Sequence, residues 1–358
     1  MKNVSRYHEL QLCYAELLAL GANEVRFDLV KEKFSFQCDE QTLRKIWYRT
    51  SWLNDLNGEK TLLAKMMESC QEIVWKYADL WFPHLCYPFK ARMRPQIARS
   101  LNNIVAPKEG MCVLDPFCGS GTTNVEAYLC GIDSVGIDII PFYVYMSQAK
   151  IDFFDEEIKW NPLFDSSCDH KILKVIYAAT NLLKTKTNFE KRVGEIVRLQ
   201  DIFQSFKSKI KPSKHTFKVG TATEIPYPNN YFDGIVTSPP YGSAIKYERE
   251  NPGPVEMMEI PQPFKRFQIL TRDETNYKLI MKVCFNEMWR VLKENAKLAI
   301  ILGNQKRRGK VVDYISWGKE ELSKLGFNHM YSFTELISST GTRNILFDQI
   351  LICQKVGG

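Results

Sequence analysis

The chain has 358 residues, a net charge of +7, and 45% hydrophobic and 25% charged residues. These proportions exclude a wholly disordered, collagen-like or coiled-coil protein. No uncharged apolar run is long enough for a transmembrane span and no secretion signal is visible, so we expect a cytoplasmic protein with no membrane partner. The basic excess suits a polyanionic partner such as nucleic acid, although many proteins without one are equally basic.

Residues 1–85 are predicted to form a mostly helical N-terminal extension. Apolar residues recur at helical spacing over 7–20, 43–56 and 62–80. The extension is rich in aromatic residues, namely Trp47, Tyr48, Trp52, Trp75 and Trp81. Such residues are typical of a small helical core, and a surface for stacking bases is the alternative.

A catalytic domain is predicted over 86–358, where short apolar strands alternate with helices. The strands are expected at 111–115, 133–137, 215–219, 232–237, 297–302, 328–335 and 345–354. Alternation of this kind predicts a parallel α/β sheet. The last connection is too short for a helical crossover, so the last two strands form a hairpin. We therefore expect seven strands, mostly parallel, with one antiparallel edge strand.

A helical insertion is predicted over 151–214, between the second and third strands. Its part from 171 to 214 holds eleven Lys and Arg residues against three Asp and Glu. A basic helical arm of this kind could lie along phosphates, and a solvated helical face is the alternative.

The ten cysteines form no Cys-x-x-Cys pair, and only five histidines accompany them. This spacing fits neither a zinc site nor a small disulfide framework. We expect reduced thiols, several of them in the core, and no bound metal.

A glycine turn follows the first strand, in the run Asp115-Pro116-Phe117-Cys118-Gly119-Ser120-Gly121-Thr122-Thr123. Glycines let the backbone approach a ligand, and the N–H groups that open the next helix can receive an anion. Asn124 replaces the third glycine of a dinucleotide fingerprint, and no P-loop lysine follows. Asp138 ends the second strand, where an acid can hold two ribose hydroxyls. A nucleoside with an anionic tail is predicted, and S-adenosylmethionine fits.

A second motif, Thr237-Ser238-Pro239-Pro240-Tyr241-Gly242, ends the fourth strand. The two prolines stop the strand and stiffen a loop at the edge where such sheets bind ligands. The Ser238 hydroxyl and the Pro239 carbonyl can accept hydrogen bonds from an exocyclic amine, and Tyr241 can stack on the ring that carries it. Such an amine is a poor nucleophile until it is oriented, and its base must leave the helix to enter a pocket. The predicted catalytic residues are Ser238, Pro239, Pro240 and Tyr241.

The two motifs resemble those of the amino-group DNA methyltransferases, specifically the N4-cytosine type. The resemblance implies a class I, Rossmann-like fold and S-adenosylmethionine as cofactor. Adenine-N6 relatives usually carry Asp or Asn where this chain has Ser238, which points to cytosine. The resemblance is strongest over 111–150 and 216–243, weaker over 86–105 and 276–312, and absent from 1–85.

By this resemblance, the motif positions divide into cofactor-binding and nucleic-acid-binding residues. The cofactor-binding residues are Arg94, Pro95, Asp115, Pro116, Phe117, Gly119, Gly121, Thr122, Asp138, Ile139 and Thr221. Within that set, Asp138 would hold the ribose, Ile139 would pack on the adenine, and Thr221 would replace the acid that often binds the adenine amine. The nucleic-acid-binding residues are Lys246, Arg249, Lys306, Arg307 and Arg308, of which the last three would hold phosphate.

The resemblance also implies a substrate and a biological role. The expected reaction is transfer of a methyl group to N4 of a specific cytosine in double-stranded DNA, in a restriction–modification system with a cognate restriction endonuclease. The motif order is the reverse of that in many N4-cytosine enzymes, and the sequence reader could be 1–85, 151–214 or 243–275. A tRNA guanine-N2 methyltransferase, which shares the motif order but usually has Asp at position 238, is the closest alternative. A non-catalytic nucleic-acid-binding subunit is another. A cytosine-C5 enzyme is excluded because the chain has no Pro-Cys dipeptide.

Overall fold

The computed structural model describes residues 7–70, 83–87, 92–158, 171–182, 189–241, 274–307, 310–335 and 345–357. The helices are α1 (Tyr7–Leu20), α2 (Glu40–Arg49), α3 (Leu62–Cys70), α4 (Pro95–Val105), α5 (Thr122–Leu129), α6 (Pro141–Asp155), α7 (Lys171–Leu182), α8 (Phe189–Lys207), α9 (Glu274–Val291) and α10 (Tyr314–Lys324). The strands are β1 (Asn23–Asp28), β2 (Lys33–Gln37), β3 (Asp55–Leu56), β4 (Glu59–Lys60), β5 (Cys112–Asp115), β6 (Asp133–Asp138), β7 (His215–Val219), β8 (Phe232–Thr237), β9 (Leu292–Arg307), β10 (Lys310–Val312), β11 (Phe327–Glu335) and β12 (Ile345–Lys355). Within these described ranges, no helix is long and apolar enough to cross a membrane.

The central sheet has the order β11-β12-β9-β8-β5-β6-β7, and the short β10 pairs with the end of β9. Strands β5 to β9 run parallel to one another, with Leu114 opposite Val135 of β6 on one side and Ile235 of β8 on the other. All seven strands expected from the sequence are present within a few residues of their predicted bounds, so the Rossmann-like α/β fold is confirmed. Parallel strands end at the same edge, which brings the loops after β5, β6 and β8 together.

The prediction that the antiparallel strand lies at the edge of the sheet is wrong. Strand β12 is the reversed one, and it pairs antiparallel with both β9 and β11. It therefore lies one place inside the edge, while the edge strand β11 runs parallel to the rest. The core residues Ile350, Leu351 and Ile352 of β12 are buried. Successive side chains of a strand point to opposite faces, so β12 is covered on both, as an interior strand must be.

The mostly helical prediction for the extension is also only partly right. Two hairpins, β1–β2 and β3–β4, interrupt it. The helix expected over 43–56 begins earlier, because Asp39 caps it by accepting a hydrogen bond from Thr42 N at 2.6 Å, and it ends at Arg49. The β3–β4 turn is Asn57-Gly58, with φ values of 52° and 87°, the pair that tight hairpins favour. Beyond residue 70, the helix expected to reach 80 lies outside the described residues.

Buried polar groups join the extension to the catalytic domain. Glu16 accepts hydrogen bonds from Ser51 Oγ at 2.7 Å and from Asn103 Nδ2 at 2.6 Å. The Arg49 guanidinium donates to the backbone oxygen of Ala106 at 2.7 Å and to Asn103 Oδ1 at 2.8 Å. Burial raises the pKa of Glu16. A charged side chain is stable in a protein interior only when it has a partner. The hydrogen bonds of Glu16 and Arg49 therefore indicate that α1, α2 and α4 pack as parts of one core.

The aromatic residues of the extension support core packing where they are described. Tyr48 is buried, and its hydroxyl accepts a hydrogen bond from Lys211 N at 2.8 Å. Trp52 is half-buried and donates from Nε1 to Ser100 Oγ at 2.5 Å. Trp47 is half-buried as well, whereas Trp75 and Trp81 lie outside the described residues.

The insertion packs as a layer of helices on α6. The side chains of Ile172, Ile176, Ile196 and Phe203 are buried in one cluster with those of α6. The helical prediction for this segment is therefore confirmed for α7 and α8. The basic residues that the structure places on the outside include Arg198, while Lys207 pairs with Asp155 at 3.5 Å.

Eight cysteines whose side chains the structure describes are free thiols, and six of them are buried. Those six are Cys13, Cys86, Cys118, Cys130, Cys284 and Cys353. The expectation that several cysteines lie in the core is confirmed for these positions.

Candidate active site

The two motif loops meet at one edge of the sheet. Strands β5 and β8 are adjacent and parallel, and the loops follow Asp115 and Thr237 at their carboxyl ends. Thr237 Oγ1 donates a hydrogen bond to Asp115 Oδ1 at 2.7 Å. This bond links the glycine turn directly to the Ser-Pro-Pro-Tyr loop, so the predicted cofactor-binding and catalytic residues share one site.

The glycine turn requires its glycines for two separate reasons. Gly119 and Gly121 have φ values of 48° and 72°, in the region that glycine adopts without strain. A Cβ atom on Gly121 would also lie 2.5 Å from Ser147 Oγ and 2.7 Å from Ser147 Cβ on α6. Helix α5 begins at Thr122, and its first N–H groups have no partner within the helix. Within the turn, Gly119 N and Gly121 N already donate, to Asp138 Oδ2 and to Cys118 O. The turn and the start of α5 therefore form a backbone cradle in which the first N–H groups of the helix suit an anionic ligand.

Asp138 joins the cradle to the next strand. Its Oδ2 atom accepts a hydrogen bond from Gly119 N at 2.9 Å, and its Oδ1 atom accepts one from Ile140 N at 2.9 Å. Burial raises the pKa of Asp138 to about 7, although the two N–H bonds act in the opposite direction. Each carboxylate oxygen keeps a second lone pair for a hydroxyl donor. The donor set therefore fits a nucleoside whose ribose hydroxyls lie beside an anionic tail.

Asp115 forms hydrogen bonds to both loops. Its side chain is 3% exposed and also accepts a hydrogen bond from Phe117 N at 3.1 Å. Burial raises the pKa of this carboxyl to about 6. A group so enclosed shapes the turn, and its predicted role as a cofactor-binding residue stays a prediction.

The predicted cofactor residues fall into two sets by exposure. The partly exposed residues are Arg94, Phe117, Gly119, Asp138, Ile139 and Thr221. The buried residues are Pro95, Asp115, Pro116, Gly121 and Thr122. Direct contact with a ligand requires exposed atoms. The partly exposed residues can therefore contact a ligand, and the buried residues support them.

Arg94 and Thr221 lie at the margins of this edge. Arg94 caps α4, which begins at Pro95 as expected, and its guanidinium pairs with the buried Glu9 of α1 at 2.7 Å. Thr221 follows β7, whose last residue Val219 lies opposite Asp138. The Thr221 hydroxyl accepts a hydrogen bond from Thr223 N at 3.2 Å. The roles of both residues toward a cofactor stay predictions.

The Ser-Pro-Pro-Tyr loop is fixed by a partner that the sequence did not suggest. Ser238 is half-buried, whereas Tyr241 is 9% exposed and donates from its hydroxyl to Asp348 Oδ2 at 2.7 Å. Asp348 lies on β12 directly opposite Gly303 of β9. A Cβ atom on Gly303 would lie 2.6 Å from Tyr241 Cε1. A lone acid within the apolar run of the last strand was the available signal for Asp348.

Two residues of α6 were also missed, namely Ser147 and Lys150. Ser147 Oγ donates to Gly119 O at 3.2 Å, and Lys150 Nζ donates to Ser120 O at 2.5 Å. Both therefore hold carbonyl groups of the glycine turn from behind. Their spacing of three residues on a mostly apolar helix was the only sequence signal.

The predicted nucleic-acid contacts are less completely described. Lys306 and Arg307 end β9, about 20 Å of strand beyond Ile300, which is level with Thr237. They therefore lie on the carboxyl side of the sheet. Lys246, Arg249 and Arg308 lie outside the described residues. In the described ranges no group of three or more His, Cys, Asp or Glu side chains could hold a metal ion.

Comparison with known proteins finds similarity to methyltransferases. Residues 87–201 match the UPF0020 family (RMKL-like, methyltransferase domain), which is about a third of the chain. The type II methyltransferase M.MjaII of Methanocaldococcus jannaschii is 32% identical over 117 residues, covering 31% of this chain and 18% of that protein. The tRNA (guanine(10)-N2)-dimethyltransferase of the same organism is 47% identical over 58 residues, 16% of each chain.

A third relative, the type II methyltransferase M.BsoBI of Geobacillus stearothermophilus, is 32% identical over 71 residues, covering 20% of this chain and 14% of that protein. The chain thus matches less than a fifth of the length of each of these curated relatives. Residues 87–201 thus match a methyltransferase family model within a Rossmann-like fold, and S-adenosylmethionine is the expected cofactor. Among methyltransferases, the chain is similar both to enzymes named for type II methylation and to enzymes named for tRNA guanine methylation.

Proposed function

We propose that this protein is a DNA methyltransferase that transfers a methyl group from S-adenosylmethionine to N4 of a specific cytosine in duplex DNA. The observation that carries the proposal is the 2.7 Å hydrogen bond from Thr237 to Asp115, which couples the cofactor cradle to the amine loop. Two loops coupled this closely suit transfer between two bound molecules. Ser238, in place of an acid, favours cytosine as the acceptor.

The residues of the loop act by placing the amine. Bound S-adenosylmethionine supplies an electrophilic methyl group at the cradle. The Ser238 hydroxyl and the Pro239 carbonyl oxygen would accept hydrogen bonds from the two N–H groups of the amine. This orientation takes the nitrogen lone pair out of conjugation with the ring and points it at the methyl group. The N–C bond would form as the S–C bond breaks, S-adenosylhomocysteine would leave, and the extra proton on the amine would be released to solvent. Pro239 and Pro240 keep the loop rigid, and Asp348 holds Tyr241 beneath it.

A cytosine must leave the duplex to reach this pocket, which costs a few kcal/mol. Phosphate contacts from basic residues on the carboxyl side would repay part of that cost. We assign this role to Lys306 and Arg307 of β9 and, from the sequence, to Lys246, Arg249 and Arg308. In a restriction–modification system the partner would be a cognate restriction endonuclease.

Helix α2 of the extension is a poor candidate for reading the target sequence. Arg49 of α2 bonds to the backbone of Ala106 and Pro107, between the end of α4 and the start of β5. That position is the amino edge of the sheet, opposite the two motif loops. We infer that the sequence reader is joined to the carboxyl edge, where segment 243–275 follows the Ser-Pro-Pro-Tyr loop in the chain.

Guanine N2 in tRNA is the second candidate substrate. The 47% identity to a tRNA guanine dimethyltransferase over 58 residues favours it, as does the order of the two motifs. Guanine N2 is also an exocyclic amine, so the same loop chemistry applies. The two candidates differ in the acceptor base and in the nucleic acid, and a direct assay separates them.

The test is methyl transfer from labelled S-adenosylmethionine to duplex DNA and to tRNA in parallel, followed by nucleoside mass spectrometry. N4-methylcytosine in DNA is the expected product. N2-methylguanine in tRNA would overturn the choice of substrate while keeping the amine chemistry. Ser238→Ala should abolish transfer and leave DNA binding intact, because only the amine loses an acceptor. Ser205→Ala, at an exposed position on α8, is the matched control and should keep full activity.

A further inference from the structure

Lys150 lies behind the glycine turn with its side chain wholly buried, at 0% exposure. Its ammonium group donates a hydrogen bond to the Ser120 carbonyl at 2.5 Å. Ser147, one turn earlier on α6, holds the preceding carbonyl, that of Gly119. Because a trans peptide places its C=O and N–H on opposite sides, the Ser120 N–H points away from α6. Helix α6 thus fixes the turn from behind and leaves its front for a ligand.

This buried ammonium has no anionic partner among the residues that the structure describes. Its charged and titratable neighbours are Cys86, Arg92, Cys118 and His84, and Arg92 adds a second positive charge. The nearby carboxylate of Glu126 is engaged by Arg99 at 3.3 Å and by His84 at 2.8 Å. Burying an ammonium group is costly unless an anion balances it. The imbalance lies directly behind the turn, on the side of α6, while the Ser120 N–H faces the opposite side.

We propose that Lys150 supplies the positive charge that balances the amino-acid carboxylate of the cofactor. The proposal rests on the S-adenosylmethionine site of the proposed function and assigns a residue to one end of that ligand. Lys150 is a positioning residue, because its buried ammonium group acts through the Ser120 peptide and through its electric field. Asp138 would hold the nucleoside end, so the charge of Lys150 should matter only at the amino-acid end.

Two ligands separate the ends of the site. S-adenosylhomocysteine carries the amino acid, whereas 5′-methylthioadenosine keeps the adenosine thioether and lacks it. Binding of each is measured by calorimetry with the wild type and with Lys150→Met, which keeps the chain length and removes the charge. Lys150→Met should weaken binding of S-adenosylhomocysteine about tenfold and leave binding of 5′-methylthioadenosine within about twofold.

Ser147→Ala is the control for the shape of the turn. It removes one anchor of the turn without changing any charge, so it should weaken both ligands to a similar degree. Equal losses for the two ligands in Lys150→Met, or no loss for either, would overturn the proposal. A wild-type protein that binds neither ligand would refute the cofactor assignment itself, which is a different result.

A second measurement follows the pH dependence of binding. Burial lowers the pKa of Lys150 to about 8, so the charge is lost as pH rises through that value. Wild-type affinity for S-adenosylhomocysteine should therefore fall above pH 8, while affinity for 5′-methylthioadenosine stays level. The pH dependence of S-adenosylhomocysteine binding by Lys150→Met gives the contribution that comes from the amino group of the ligand. Coincident profiles of the wild type and Lys150→Met would contradict the proposal.

Discussion

Gly303→Ala tests whether the buried position of Tyr241 matters for transfer. The new methyl group would lie 2.6 Å from Tyr241 Cε1 and against the Asp348 carboxylate. Something must move, and the ring and its 2.7 Å hydrogen bond to Asp348 are what the methyl group meets. Overpacking by one methyl group in a dense core costs about 1–3 kcal/mol. The domain should stay folded, since a typical stability is about 5–15 kcal/mol.

The expected effect on activity is larger than the effect on stability. A displacement of about 1 Å at a reacting centre can reduce the rate about 100-fold. We therefore expect the kcat of Gly303→Ala to fall about 100-fold, while binding of S-adenosylhomocysteine stays unchanged. The assays are initial rates at saturating DNA, calorimetry for the ligand, and thermal unfolding followed by circular dichroism.

Gly194→Ala is the matched control, because no atom lies within 4 Å of the added Cβ on α8. It should keep wild-type activity and add about 0.5–1 kcal/mol of stability, since alanine favours the helix. If folded Gly303→Ala transfers methyl groups within twofold of Gly194→Ala, then the position of Tyr241 has no part in the reaction and the reasoning fails.

Three further outcomes are expected. Asp138→Ala should weaken S-adenosylhomocysteine binding by about 2–3 kcal/mol, because hydroxyl donors lose a carboxylate, and unchanged calorimetry would remove Asp138 from the ribose site. The pKa of Asp138 is raised to about 7, so the folded state holds this proton more tightly than the unfolded state. The resulting contribution to the free energy of unfolding is present at pH 4 and is lost as pH rises through 7. Chemical denaturation of the wild type and of Asp138→Ala at pH 5 and pH 8 checks the sign. Charge reversal at Arg198 and Lys209, both exposed, should weaken DNA binding and lower its salt slope by about 1–2, whereas an unchanged slope would leave the insertion a purely structural layer.

The sheet was predictable because its strands are short, apolar and separated by helices. Each motif sits at a strand end, and parallel strands place such ends together, so the meeting of Asp115 and Thr237 follows from local patterns. The place of β12 did not follow, because pairing order depends on packing across the sheet that no local pattern records. The β3–β4 hairpin of the extension was missed for a simpler reason. Its turn signal, Asn57-Gly58, was present in the sequence and was overlooked.

The supports behind the site were beyond sequence reasoning. Asp348 is 107 residues from Tyr241 along the chain, and Lys150 is 30 residues from Ser120. Nothing near either residue indicates its partner, because only the folded sheet and helix bring each pair together. A charged side chain on an apolar element marks a position that needs a partner, but it does not name the partner.

The place of β12 in the sheet determines which part of the site forms last as the chain is synthesised. The chain is made from the N-terminus at about 5–20 residues per second, and the cradle and the Ser-Pro-Pro-Tyr loop emerge long before the last strand. Tyr241 gains its hydrogen bond only when β12 pairs with β9. A nascent chain could therefore bind the cofactor before its amine loop is set. Under the proposed mechanism, methyl transfer would therefore require β12 up to residue 355 to be in the sheet.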